Sequence, residues 1–154
     1  MQNNTLINKY VNKFNSSGFI VIRKLLNSGE LRKYENEVNR VSKILIKRYK
    51  PPYVNLTSDG KVNTAHNLDK IFPKSLLLNI KNNKILKKFL IKLFKEKAVT
   101  RNLEIFAKPS KTGMEAPFHQ DNYYWNITDK RAVNIWISLD KVNKKNGGLV
   151  YLEK

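Results

Sequence analysis

Cysteine is absent from all 154 residues, which excludes disulfides, thiolate zinc sites and thiol nucleophiles. Histidine is nearly as scarce. His66 and His119 are the whole supply, so a serine or threonine nucleophile with its own base has little to draw on. Long apolar runs are also missing. Leu76-Leu77-Leu78 sits in a polar surround, and even Phe19-Ile20-Val21-Ile22 holds only four residues, far short of the roughly 20 residues of a membrane span. The opening segment, Met1 to Tyr10, lacks the apolar core of a signal peptide, and no glycine-rich phosphate loop occurs. These absences predict a soluble, cytoplasmic protein, with residues 1–154 forming a single domain with a real core.

Acidic residues are few: 12 against 30 basic ones, for a net charge of +18. Such an excess invites a nucleic-acid reading, because clustered cations displace counterions from phosphates. The kind of cation argues otherwise. Lysine supplies 24 of the 30 basic residues, whereas phosphate and base recognition favour the bidentate fork of arginine. Asparagine, at 20 residues, is abundant too and adds no charge. Lysine, asparagine and isoleucine rising together match the codon bias of an AT-rich genome. The charge is therefore read as a lysine-coated surface, with neither nucleic acid nor membrane as partner. A basic surface binder for nucleic acid or anionic membrane is the alternative, tested by the salt dependence of binding.

Helical spacing appears first at Leu6, Tyr10 and Phe14, and Ser16-Ser17-Gly18 ends that stretch. Phe19-Ile20-Val21-Ile22 reads as a short buried strand. Ser28 is a candidate N-cap, with Glu30 in the first turn of a helix reaching about Lys47. Its apolar stripe is Leu31, Tyr34, Val38, Val41 and Leu45. From Arg48 to Lys74 the pattern dissolves into turn signals, among them Pro51-Pro52 and Ser58-Asp59-Gly60. A third helix is predicted over Lys84 to Phe94, greasy on one face and lysine-rich on the other. Strands are predicted within Val99 to Ala107, over Val133 to Leu139 and from Leu149 to Leu152, with Asn146-Gly147-Gly148 as a hairpin-type turn. Along the middle one, Val133, Ile135, Ile137 and Leu139 form an apolar face. Asn134, Trp136 and Ser138 form a polar and aromatic face suited to lining a cavity. Helices first and strands after predict an α+β domain.

The residues able to carry chemistry cluster around His119. In an extended segment, residues two apart point the same way, so His119 and Asp121 can converge on one metal ion. An imidazole nitrogen and a carboxylate suit iron(II), and a second histidine would complete a facial triad with open positions. His-x-Asp alone is a common pairing, so the surroundings matter.

Three blocks stand in order. Phe14-Asn15-Ser16-Ser17-Gly18-Phe19-Ile20-Val21-Ile22 is followed by Leu25-Leu26 and a helix. Lys108-Pro109 precedes Pro117-Phe118-His119-Gln120-Asp121 and Tyr123-Tyr124-Trp125. Ala132 to Asp140 then runs into Asn146-Gly147-Gly148-Leu149. Together they resemble the opening, the metal-ligand segment and the following strand and turn of the phytanoyl-CoA dioxygenase family. The resemblance implies an iron(II)- and 2-oxoglutarate-dependent dioxygenase that hydroxylates a small molecule using molecular oxygen. It also implies a double-stranded β-helix, the cupin-like jelly roll, with the N-terminal helices packed on it. Carried over by position, His119 and Asp121 are the first two iron ligands and Trp136 lies beside the co-substrate. Gln120 is read as structural.

This sequence departs from the family pattern after Asp121, where no second histidine ligand follows, and so no arginine beyond such a histidine to pair with the distal carboxylate of 2-oxoglutarate. The expectation is therefore a family domain truncated at its C-terminus, with an incomplete jelly roll whose open sheet edge favours self-association. A non-catalytic remnant, kept as a binding or assembly module, is the competing expectation. His66 as third ligand is weighed against a polar loop residue, and the loop reading is preferred. Lys70 and Lys108 are read as surface charge.

Overall fold

The computed structural model describes residues 2–113, 115–125, 127 and 131–152. Helix α1 (Gln2–Ser17) buries Ile7 and Val11, with Tyr10 and Phe14 packed beside them. Leu6, expected on the apolar face, is exposed. The face that meets the rest of the protein is centred one position later. Gly18 ends the helix at φ 78°, its N–H donating to the Phe14 carbonyl at 2.8 Å.

Helix α2 (Ser28–Arg48) is capped by Asn27 rather than Ser28. Asn27 Oδ1 accepts from the Glu30 N–H, and Glu30 Oε2 accepts from the Asn27 N–H, both at 2.9 Å. This reciprocal box satisfies two donors that the first turn would otherwise leave unpaired. The predicted stripe is the buried one: Val41 and Leu45 are fully enclosed, and Tyr34 and Val38 pack against the same core. Phe19 to Ile22 form no strand. β-branched side chains favour extended backbone, but without a paired neighbour no ladder forms.

The stretch from Arg48 to Lys74, read as irregular, contains the heart of the sheet. Strands β1 (Val54–Leu56) and β2 (Val62–Ala65) pair antiparallel through the Ser58-Asp59-Gly60 turn, where Gly60 adopts φ 76°. Strand β3 (Ile105–Phe106) pairs with β2, giving the order β1-β2-β3. The register sets Val54 opposite Ala65 and Ala65 opposite Ile105. Helix α2 lies on this sheet, so that Val41, Leu45, Val54, Val62, Ala65, Leu68, Leu77 and Ile105 form one core. The α+β expectation stands on this packing.

Short helix α3 (Leu68–Ile71) explains why the third strand is shorter than the alternation predicts. Leu103 gives its N–H to Asp69 Oδ1 at 3.2 Å and its carbonyl to the Leu68 N–H at 2.9 Å, so its backbone serves α3 instead of β2. A 3-10 helix (Leu76–Asn82) leads into α4 (Lys84–Phe94), whose bounds are those the spacing predicts. Phe89 of α4 closes a second cluster with Ile7 and Val11, its ring edge-on to Phe14 at 5.9 Å.

A carboxylate ties the 3-10 helix to α2 at the edge of the first core. Glu37 on α2 takes a bidentate pair from Arg40 at 2.7 and 2.8 Å, the Ser75 hydroxyl at 2.6 Å and the Leu76 N–H at 3.2 Å. The Arg40 hydrogen bonds, with those of Ser75 and Leu76, outweigh the cost of burial and lower its pKa to about 2. The start of the 3-10 helix is thereby fixed to α2.

Beyond Ala107 the described residues form no further strand. Residues 133–139 and 149–152, expected as strands, have no ladder partner among the described residues. Alternation marks which side of a segment is greasy, but a strand exists only when another segment takes up its backbone hydrogen bonds. Asn146-Gly147-Gly148 does turn, with Gly147 at φ 89° and the Gly148 N–H bonded to the Asn143 carbonyl at 3.1 Å. A Cβ on Gly147 would fall 2.5 Å from Cδ of Lys108, whose stem packs over the turn. With no flanking strands among the described residues, the expected hairpin-type turn is present as a turn alone.

Candidate functional site

His119 and Asp121 come together by a different route from the one alternation suggests. The segment before them is irregular, and Asp121 opens a short helix, α5 (Asp121–Trp125). The Tyr123 N–H donates to the Gln120 carbonyl at 3.0 Å, which draws the chain into that turn. His119 Nε2 then lies 3.3 Å from Asp121 Oδ1. Both side chains remain open to solvent, at 39% and 36% exposure, so a ligand can reach them.

The far side of each group is occupied. His119 Nδ1 sits 2.7 Å from the Pro117 carbonyl, which can only accept, so Nδ1 carries a proton there. In the neutral ring this leaves Nε2 as a lone pair aimed at the carboxylate. Two acceptors facing each other at that range repel unless a proton or a cation lies between them. Asp121 Oδ2 accepts from Asn134 Nδ2 at 3.0 Å, which leaves Oδ1 as the oxygen directed at the imidazole. The His119 ring also meets the edge of Tyr124 at 5.7 Å.

Tyr151 completes the surroundings. Its ring stacks on Phe19 at 4.8 Å, almost parallel. Burial first, and then the negative charge of Asp121, push its phenol pKa above the ordinary tyrosine value. Phe19, expected to belong to a strand, instead ties the loop after α1 to the candidate site.

The donor set fits a first-row divalent cation in part. Metal–nitrogen and metal–oxygen bonds of about 2.0–2.2 Å at right angles separate two donor atoms by about 3 Å, close to the 3.3 Å found. Among the described residues, no third histidine, aspartate or glutamate joins them. His66 is engaged elsewhere: its Nδ1 lies 3.1 Å from Glu104 Oε1 and its ring stands edge-on to Phe106. Lys70 donates to Asn67 Oδ1 at 3.3 Å, and the Lys108 stem covers Gly147. Trp136 is 40% exposed and makes no ring contact or hydrogen bond among the described residues. Gln120 is exposed and contributes its carbonyl to the turn.

Asn134 is the functional candidate that motif reading passed over. The available signal was its place beside Trp136 and Ser138 on the polar face of the Val133–Leu139 segment, but spacing alone could not name Asp121 as its partner.

No helix among the described residues is long and apolar enough to cross a membrane. The family model described as phytanoyl-CoA dioxygenase matches residues 14–153. No curated protein and no solved structure matches the chain.

Proposed function

The chain belongs to the phytanoyl-CoA dioxygenase family, and from that premise we propose that it serves iron(II)- and 2-oxoglutarate-dependent oxygenation of a small molecule. His119, through Nε2, and Asp121, through Oδ1, are two of the iron ligands in this reading. The observation that carries it is the convergence of those two atoms at 3.3 Å, with the opposite atom of each side chain already hydrogen-bonded. When bound, iron with 2-oxoglutarate supplies the oxidising power for hydroxylation, and molecular oxygen is the oxidant. The chain's own part is to hold the ligand atoms in place. Pro117 fixes the imidazole proton on Nδ1. Trp136 belongs to the proposal as the aromatic flank of the co-substrate. The jelly roll belongs to it as well, supported by family membership and by the antiparallel sheet. The remaining coordination positions go to the co-substrate, to solvent and to groups outside the described residues.

A second reading, a non-catalytic binding or assembly module, is favoured by one observation. The ligand set among the described residues stops at a pair.

Anaerobic titration with iron(II), with and without 2-oxoglutarate, separates the two. The enzymatic reading expects a weak visible charge-transfer band that needs both components and disappears in Asp121→Ala. No band and no iron retention would overturn it in favour of the module.

A further inference from the structure

Asp121 has two oxygens, and the structure treats them differently. Oδ1 faces Nε2 of His119 at 3.3 Å, while Oδ2 is held at 3.0 Å by the side-chain amide of Asn134. An amide N–H can donate but cannot ligate a metal, and it takes up a lone-pair site of Oδ2 that would otherwise be open to the cation, which disfavours chelation through both oxygens. A carboxylate with neither oxygen engaged is free to rotate about its Cβ–Cγ bond or to chelate through both atoms. One engaged oxygen fixes the plane of the group and leaves a single donor atom in a known direction. His119 is prepared in the same way, since the Pro117 carbonyl engages Nδ1 and leaves Nε2.

We propose that Asn134 is a positioning residue for the metal centre, which makes Asp121 a monodentate ligand through Oδ1. The inference rests on the reading of His119 and Asp121 as metal ligands and adds a role for a residue that touches neither metal nor co-substrate. Asn134 reaches Asp121 from thirteen residues along the chain, out of the segment that also carries Trp136. The hydrogen bond therefore joins the ligand turn to that segment. It gives the Val133–Leu139 stretch a task at the site even though it has no strand partner among the described residues.

Cobalt(II) is the probe, because its ligand-field bands report both affinity and coordination number without turnover. The full chain is titrated anaerobically alongside Asn134→Ala and Asn134→Leu. Alanine removes the donor; leucine removes it and keeps the volume. Asn134 is exposed, so neither change should disturb folding, and the thermal midpoint verifies this for each variant. The expected result is a loss of cobalt affinity of about 10- to 100-fold in both variants, the range for removal of a partner that orients a ligand. Weaker bands at saturation should accompany it, because a freed Oδ2 joins the coordination sphere. A role in packing alone would be rescued by leucine and would leave the band intensity unchanged. Native affinity and native bands in both variants would overturn the inference while the metal site stands. Cobalt binding unaffected by His119→Ala and Asp121→Ala, or no binding by the unaltered chain, would overturn the site and the inference together.

Discussion

Among the described residues, every buried apolar side chain lies between Gln2 and Ala107, and none lies between Lys108 and Leu152. The first region holds both clusters, with Val41, Leu45, Ala65 and Leu68 fully enclosed. The second exposes Phe118, Tyr123, Tyr124, Ile135, Trp136, Leu149, Val150, Tyr151 and Leu152. Hydrogen bonds follow the same division: ladders and helix caps in the first, and local turns such as Asn143 to Gly148 in the second. Yet the second region carries His119, Asp121 and Asn134. Links across the boundary among the described residues include the Phe19–Tyr151 stack, the Arg131–Glu96 ion pair and the Thr112–Asp59 hydrogen bond. Stability and the candidate chemistry therefore reside in different parts of the chain, and mutations should separate them.

The largest test of that separation is one truncation made in both regions. Leu45→Ala empties a fully buried site under the sheet and should cost about 2–5 kcal/mol, the sum of lost transfer energy and the cavity left behind. Leu149 is half exposed, so Leu149→Ala should shift stability by no more than about 0.5 kcal/mol. Urea unfolding midpoints measure both. Equal losses would mean that residues 108–152 share the core after all.

The next effect is electrostatic and confined to the first region. The pKa of Glu37 is lowered to about 2 from the ordinary 4.5, so the folded state favours its charged form. The stabilisation is complete above the ordinary value and disappears as pH falls from about 4.5 to about 2, where the folded protein also takes up the proton. A shift of that size corresponds to at most about 3 kcal/mol at neutral pH. Glu37→Gln should lower the thermal midpoint at pH 7 and flatten its decline between pH 4.5 and 2. A variant as acid-sensitive as the parent in that window would show that the Glu37 carboxylate does not fasten the 3-10 helix to α2. Smaller again is Asn27→Ala, which removes one half of the capping box and should cost about 1 kcal/mol by urea unfolding. The site, by contrast, should bind cobalt as before in both variants.

The boundary between the regions also divides what was legible in the sequence. Helices α2 and α4 were readable because each carries several turns of apolar spacing, and α4 begins and ends where that spacing does. The hairpin of β1 and β2 was not. Strands of three and four residues are too short for alternation to register, and Asn63 places a buried amide in the middle of Val62-Asn63-Thr64-Ala65. Only its turn, Ser58-Asp59-Gly60, gave a sign. Val133 to Leu139 erred in the other direction, since its alternation is clean but pairing depends on a partner that spacing does not reveal. At the site, His119 and Asp121 were legible as residue types at a suggestive interval. Their meeting depends on the turn into α5, which the assumption of a strand missed. Asn134 was out of reach because its partner lies across a loop.

The smallest expected effect falls on the boundary itself. Asp59, in the turn between β1 and β2, accepts from Thr57 Oγ1, pairs with Lys61 at 2.7 Å and accepts from Thr112 Oγ1 at 3.0 Å. Lys61 first, then Thr57 and Thr112, hold its pKa well below the usual carboxylate range. Of these partners only Thr112 belongs to the second region, so Thr112→Val removes a link between regions and leaves the turn its own contacts. The urea midpoint should stay in place, because the core does not include Thr112. Trypsin cleavage at Lys141, Lys144 and Lys145 should rise by roughly two- to fivefold, the factor that one modest hydrogen bond supplies to a local opening equilibrium. If the midpoint falls with no change in cleavage, Thr112 supports the sheet instead, and the boundary between the two regions lies further along the chain than Ala107.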